Sequence, residues 1–299
     1  MHRFNIDFMG HRWWFLGVSG VLIVVSLLGL AIQGLNLGIE FEGGTAINFT
    51  NAQGVSITAM RTAFVDAGIE EPGVQSIQGG GYLVRFTESN PDKANAAYVA
   101  VIKDLNLPND AGDVTTIGPG WGKLVTNRAL LAAVLAIAAI LLYISIRFDY
   151  KMSMTAVLAL VHDAIIVLGI YAWSGREVTP NTIAALLTIL GYSLYDTIVV
   201  FHRIKENSQH ISKQTFSQMA NESINQVLVR SINTSVTSLI PVVCLLFFGG
   251  STLQDFAFAL TVGLISGAYS SIGIAGILYA MWKEAEPRYQ ALKKKYATA

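Results

Sequence analysis

Charge is scarce in this chain. Only 13% of its 299 residues are Asp, Glu, Lys or Arg, against 53% apolar residues, whereas soluble proteins carry roughly 25% charged residues. That balance excludes an ordinary soluble globule and implies that most of the chain faces lipid. The 20 basic residues are matched by 20 acidic ones, so no basic surplus points to nucleic acid. The one cysteine, Cys244, lies in an apolar run and excludes an intramolecular disulfide. HExxH, GxSxG and P-loop patterns are missing, as are Cys or His clusters with metal-ligand spacing. The expectation is therefore a protein that is not an enzyme and uses no cofactor or metal. Without a nucleotide site, its energy source would be the transmembrane potential, worth about 2.3 kcal/mol per charge per 100 mV, together with the pH difference.

What is present is a series of apolar runs. Crossing a bilayer takes about 20 residues of helix, and such runs lie at Trp13 to Ile32, Ala129 to Ile146, Met152 to Trp173, Thr182 to Phe201, Ser231 to Phe248 and Phe256 to Trp282. The first follows His2, Arg3, His11 and Arg12 and exceeds the roughly 7 to 15 apolar residues of a signal peptide, so it reads as an uncleaved anchor. Arg147 and Lys151 sit between the second and third spans, Arg203, Lys205, Lys213 and Arg230 between the fourth and fifth, and Lys283, Arg288 and Lys293 to Lys295 after the sixth. The opposite short loops hold only Arg176. The positive-inside rule then places both termini in the cytoplasm.

The segment after the first span reads as a water-exposed domain. Thr45 to Thr50 predicts a strand, Ser56 to Ala67 an amphipathic helix, Val74 to Gln78 and Tyr82 to Thr87 a hairpin around Gly79, Gly80 and Gly81, Pro91 to Leu105 a helix, and Asp113 to Ile117 a last strand. The order βαββαβ fits an α+β ferredoxin-like sandwich, a fold that names no function by itself. The expected organisation is a cytoplasmic N-terminus with the first transmembrane helix over 1–33, the external domain over 34–124, five further transmembrane helices over 125–284 and a basic cytoplasmic tail over 285–299.

Charges within the spans require an explanation, because insertion scales put their cost at about 2.5 to 3.5 kcal/mol each. Asp163 lies in the third span and Asp196 in the fourth. Thr188, Tyr192 and Asp196 share one helical face, as do Arg230, Asn233, Thr234, Thr237 and Ser238 in the fifth span. The two stripes are expected to satisfy each other across a bundle. Asp196 precedes Arg203 by about 10 Å of helix, so a long Arg230 side chain would reach toward it. A carboxyl group balanced between its charged and neutral forms can carry a proton. The alternatives are a static Asp196–Arg230 pair, or an Arg230 that only snorkels to the interface. His162 and Asp163, being adjacent, are expected to point to different sides of their helix, with His162 read as packing ahead of the alternative of a proton relay. His202 reads as a solvated flank and Arg176 as an outer-interface marker. Gly263, Gly267, Gly273 and Gly276 punctuate the last span and allow close helix approach, either inside the bundle or against another subunit.

Several segments resemble the SecF branch of the SecD/SecF family, within the resistance-nodulation-division (RND) superfamily. They are Leu37-Gly38-Ile39-Glu40-Phe41-Glu42-Gly43-Gly44-Thr45 after the first span and Val161-His162-Asp163 in the third. Gly191-Tyr192-Ser193-Leu194-Tyr195-Asp196-Thr197-Ile198-Val199-Val200-Phe201 in the fourth is the most specific, and Arg230-Ser231-Ile232-Asn233-Thr234-Ser235 opens the fifth. The resemblance covers nearly the whole chain and departs from the family where Glu40 replaces a usual Asp, Tyr195 a common Asn and His202 a frequent Asp. It implies a bacterial inner-membrane protein with SecD as partner in a twelve-span unit, contact with the SecYEG channel and YajC, and unfolded preprotein as substrate, drawn outward by the proton motive force. It also implies proton-pathway roles for Asp196 and Arg230, to which Asp163, Tyr192, Asn233 and Thr234 are added here on position. Carboxylates and hydroxyls suit H⁺ or Na⁺ equally. The rivals are a small-molecule exporter of the same superfamily, disfavoured by the chain's length, and a passive assembly subunit whose buried charges fix helix register.

Overall fold

A computed structural model of the chain describes residues 5–52, 54–77 and 80–296. His2, Arg3, Gln78 and Gly79, named above, lie outside the described residues. Helix α1 (Arg12–Ile32) leads through strand β1 (Asn36–Leu37) and the short α2 (Ile39–Glu42) into an α+β unit. That unit comprises β2 (Gly44–Phe49), α3 (Ile57–Asp66), β3 (Gly73–Ile77), β4 (Gly81–Phe86), α4 (Pro91–Asp104) and β5 (Gly112–Ile117). There follow α5 (Pro119–Arg147), α6 (Tyr150–Ser174), strand β6 (Glu177–Val178), α7 (Pro180–Ser208), α8 (Phe216–Phe248), α9 (Gly250–Ser270), a π-helical stretch (Ser271–Gly276), α10 (Ile277–Glu284) and α11 (Pro287–Tyr296). Among the described residues, six helical stretches are long and apolar enough to cross a membrane; the sixth runs continuously over Leu253–Glu284 through the π-helical stretch.

Period-two alternation builds the α+β unit. Ile47, Phe49, Val84 and Phe86 point from the sheet into one apolar core with Met60 and Phe64 of α3 and Tyr98 and Val101 of α4. Burying each large side chain contributes about 1.5 to 3 kcal/mol. The four strands are antiparallel in the order β3-β4-β2-β5. Ser56 caps α3 by accepting from the Ala59 N–H at 3.1 Å, and Asn90 caps α4 ahead of Pro91. Gly44 enters β2 at φ +118°, where a Cβ would stand 2.5 Å from the Phe86 carbonyl oxygen, so only glycine fits.

The helices form a bundle in which α6 and the last span are the most enclosed, while α5 and α8 leave most of their residues uncovered. The glycines of the last span face inward: a Cβ at Gly263 would meet Ile189 at 2.3 Å, one at Gly267 Ser193 at 3.0 Å, and one at Gly276 Ile224 at 3.2 Å. Of the two readings above, internal packing is the one observed. Gly169 of α6 lies against the backbone of Ser26 in α1 in the same manner. A feature not anticipated from the sequence is a two-residue parallel pairing, Asn36 with Glu177 and Leu37 with Val178, which ties the chain after α1 to the loop between α6 and α7.

Candidate functional site

Asp163 is fully buried at the centre of α6. Its carboxylate accepts from Ser266 at 2.6 Å on one oxygen, and from Ser193 at 2.6 Å and Ser270 at 2.7 Å on the other. His162 does not point away: its Nδ1 lies 3.1 Å from Asp163 Oδ1. The expectation of opposite sides fails because adjacent side chains diverge by only about 100° on a helix, and the imidazole folds back to the carboxylate. The pattern Ser266, Ser270 at i, i+4 was legible in the sequence as a polar face on the last span. The π-helical stretch begins just beyond it, and Ser271 Oγ donates to the Gly267 carbonyl and lies 3.0 Å from Thr197 Oγ1. Asp163 thereby joins α6, α7 and α9 through three short hydrogen bonds.

Asp196, one turn beyond Tyr192 on α7, is in a different setting. It is 2% exposed, and among the described residues its Oδ2 has no close hydrogen-bond partner, although the Ser235 side chain stands near enough to act on it. Helices α7 and α8 run antiparallel beside each other, fastened near their connection by Asn207 donating to Ser223 at 2.8 Å. Along this seam the Tyr192 hydroxyl, Asp196 Oδ2, Ser231 Oγ and Ser235 Oγ are all buried without a close partner among the described residues. An unsatisfied buried polar atom costs about 1 to 3 kcal/mol, which sets this seam apart from the fully bonded network at Asp163.

Arg230 does not pair with Asp196. Its Nη2 donates to the Tyr195 hydroxyl at 3.0 Å, on the exposed side of the seam, although it is near enough for its charge to act on Asp196. Nor do the two polar stripes satisfy each other. Thr188 bonds to the Ala184 carbonyl, Thr234 to that of Arg230 and Thr237 to that of Asn233, because a threonine hydroxyl in a helix reaches its own backbone first. Thr188, Tyr195, Arg230, Asn233 and Thr237 are exposed. Of these, the Thr188 and Thr237 hydroxyls are satisfied by their own helices, which leaves Tyr195, Arg230 and Asn233 as the polar groups presented on the outer face of α7 and α8.

At the other end of the helices, Arg176 pairs with Asp255 at 2.7 Å and stacks over Phe258 at 4.3 Å. The Tyr171 hydroxyl donates to the Asp255 carbonyl. Asp255 was not singled out in the sequence. His202 is exposed.

Comparison with known proteins gives this geometry a context. The family described as protein export membrane protein SecD/SecF, C-terminal, matches residues 98–285, and the SecD/SecF GG motif matches residues 28–48. The chain is 39% identical to protein translocase subunit SecF of Streptomyces coelicolor over 97% of this chain and 80% of that one. It is 38% identical to the SecF subunit of Pseudomonas aeruginosa over 92% and 90%. The crystal structure of SecDF from Thermus thermophilus, described as a translocon-associated membrane protein, superposes with a TM-score of 0.87 at 33% identity over 94% of this chain. This chain spans 39% of that longer one. With six apolar helices and these matches, the chain is a multi-pass membrane protein that belongs to the SecD/SecF family of protein export membrane proteins.

Proposed function

We propose that the chain is the SecF-type accessory subunit of the Sec translocase, and that with a SecD partner it uses the proton motive force to draw preprotein across the membrane at a late stage. Its work is transport without a catalytic reaction of its own. The observation that carries this reading is the row of buried, unpartnered polar atoms around Asp196 between α7 and α8. An acid held there without a fixed partner can take up and release a proton, whereas one with four fixed contacts, as at Asp163, is an anchor.

The SecD partnership is supported by two things. The exposed polar face of Tyr195, Arg230 and Asn233 requires cover, and this chain matches two-fifths of a SecDF protein of Thermus thermophilus. In the complex, Arg230 would stand beside Asp196, Tyr192, Asn233 and Thr234 along the proton route, with Asp163 fixing the helices around it. The α+β unit, with its βαββαβ order and its β3-β4-β2-β5 sheet, is read as a ferredoxin-like external domain over 34–124. It sits outside an inner membrane whose helices occupy 1–33 and 125–284, with both termini and the basic tail from 285 in the cytoplasm. SecYEG, YajC and unfolded preprotein are the further partners.

The alternative of a passive assembly subunit draws on Asp163, whose three serines and histidine do fix helix register. The two readings separate in proteoliposomes holding the chain with SecD under an imposed pH gradient. Proton uptake that vanishes in Asp196→Asn and persists in Ser266→Ala supports the carrier. Uptake absent in the unaltered complex supports the passive subunit.

A further inference from the structure

Where the α+β unit meets the end of the helix bundle, three charged side chains from three different elements converge. Arg85 alternates to the outer face of β4, opposite the core-facing Val84 and Phe86, and pairs with Glu177 of β6 at 3.0 Å. It also donates to Asn36 of β1 at 3.3 Å. Glu177 is 8% exposed. Glu40 of α2, inside the glycine motif, places an oxygen that is buried and has no hydrogen-bond partner at the same spot. A Cβ at Gly38 would stand 2.4 Å from Glu40 Oε2 and 2.9 Å from Glu177 Oε1, so both carboxyl groups flank one point that only a glycine leaves open. The junction therefore sets two acids side by side with Arg85 bound to one of them, while Arg176, which lines the same cavity, is taken up by Asp255.

We propose that Arg85, Glu177 and Glu40 form a proton-operated latch that docks the α+β unit on the helix bundle. One guanidinium balances one carboxylate. The second acid is left as a surplus buried charge unless it holds a proton, and in a low-dielectric junction that surplus repels its neighbour. When the unit lifts away, both acids meet water and the surplus charge costs little.

The groups facing Glu177 are Arg85 from β4, Glu40 from α2, and Asp255 from α9, the last already paired with Arg176; the backbone of Ile39 also donates to it. Burial is the largest influence on Glu177 and pushes its carboxyl up to about 7; Arg85 opposes the shift, while Glu40 and Asp255 add to it. The sign of the linkage follows. The acid binds its proton more tightly in the docked form than in the released form, where it regains its ordinary value. Docking is therefore fully favoured in acid and weakens as pH rises through about 7. Acidity around the junction closes the latch, and loss of the proton opens it. This concerns the docking step alone and rests on the reading of 34–124 as a separate unit.

The test uses the full chain in lipid nanodiscs, with spin labels at Lys103→Cys on α4 and Gln33→Cys at the end of α1 in a Cys244→Ser background, and reads the distance between them by pulsed electron resonance. The expected result is one short distance at pH 5.5, with a longer one gaining about 30-fold in relative population by pH 8.5. Both Glu177→Gln and Glu40→Gln, which remove the surplus charge in different ways, should keep the short distance throughout. A distance distribution that does not change with pH overturns the latch, and so does either variant retaining the unaltered chain's pH dependence. Neither readout involves proton uptake or export, so failure here leaves the role of Asp196 standing, and failure there leaves the latch.

Discussion

Arg230 donates to the hydroxyl of Tyr195 at 3.0 Å and leaves the neighbouring Asp196 without an ion pair. Tyr195 and Asp196 are adjacent on α7, so they leave the helix about 100° apart. The tyrosine faces outward and the acid faces the α8 seam. The guanidinium is thus held within electrostatic reach of the carboxyl group without pairing with it directly, the arrangement that the proposed carrier role calls for. The Tyr195 phenol reaches out from α7 and holds Arg230 on the exposed side.

Tyr195→Phe removes that acceptor and keeps the ring. Both partners are exposed, so the expected cost in stability is below about 1 kcal/mol, read as a small shift in thermal unfolding in detergent. A large loss of stability would mean that the pair has a structural role instead.

Asp163→Asn replaces an acceptor-only group with one that also donates, facing three serine hydroxyls and an imidazole. One of the two carboxyl oxygens becomes an NH₂ group, so the hydroxyls that now donate to that oxygen must turn round or lose their bonds. Destabilisation of about 3 kcal/mol is expected, measured by thermal unfolding. A variant as stable as the unaltered chain would contradict the anchoring role.

Gly169→Ala would bring a methyl group to within 2.4 Å of the Ser26 Cα, a backbone atom that cannot swing aside. Overpacking of this kind costs about 1 to 3 kcal/mol. Gly17→Ala, on α1 where a Cβ meets nothing, serves as the control and should leave unfolding unchanged or slightly raised. Equal behaviour of the two variants would contradict the close α1–α6 contact.

The six membrane helices were legible in the sequence because lipid selects for uninterrupted apolar length, and the ends of α1 and α6 agree with the apolar runs to within a few residues. The strands and helices of the α+β unit were legible for a different reason: alternation in Thr45 to Thr50 and Tyr82 to Thr87, and caps at Ser56 and Asn90, are local signals. What could not be read was decided by tertiary approach. Asp163 and Asp196 look alike as single acids in apolar runs, yet one is bound by three serines from two other helices and the other has only Ser235 near it, without a close hydrogen bond. Arg230 was expected at Asp196 because helical spacing gives the face of a residue and not the direction of a long, flexible side chain. The β1–β6 pairing spans two residues on each strand and leaves no periodicity to detect. Arg85 and Glu177 are far apart in sequence and meet only because that pairing brings the α+β unit onto the bundle.

Preprotein export in membranes carrying the chain with SecD, with the proton motive force maintained or collapsed, measures the role of Asp196 most directly. With Asp196→Asn in a complex shown to assemble normally, export is predicted to lose its response to the proton motive force while its basal rate persists. A response equal to that of the unaltered complex would contradict the carrier role and leave Asp196 as a buried structural acid.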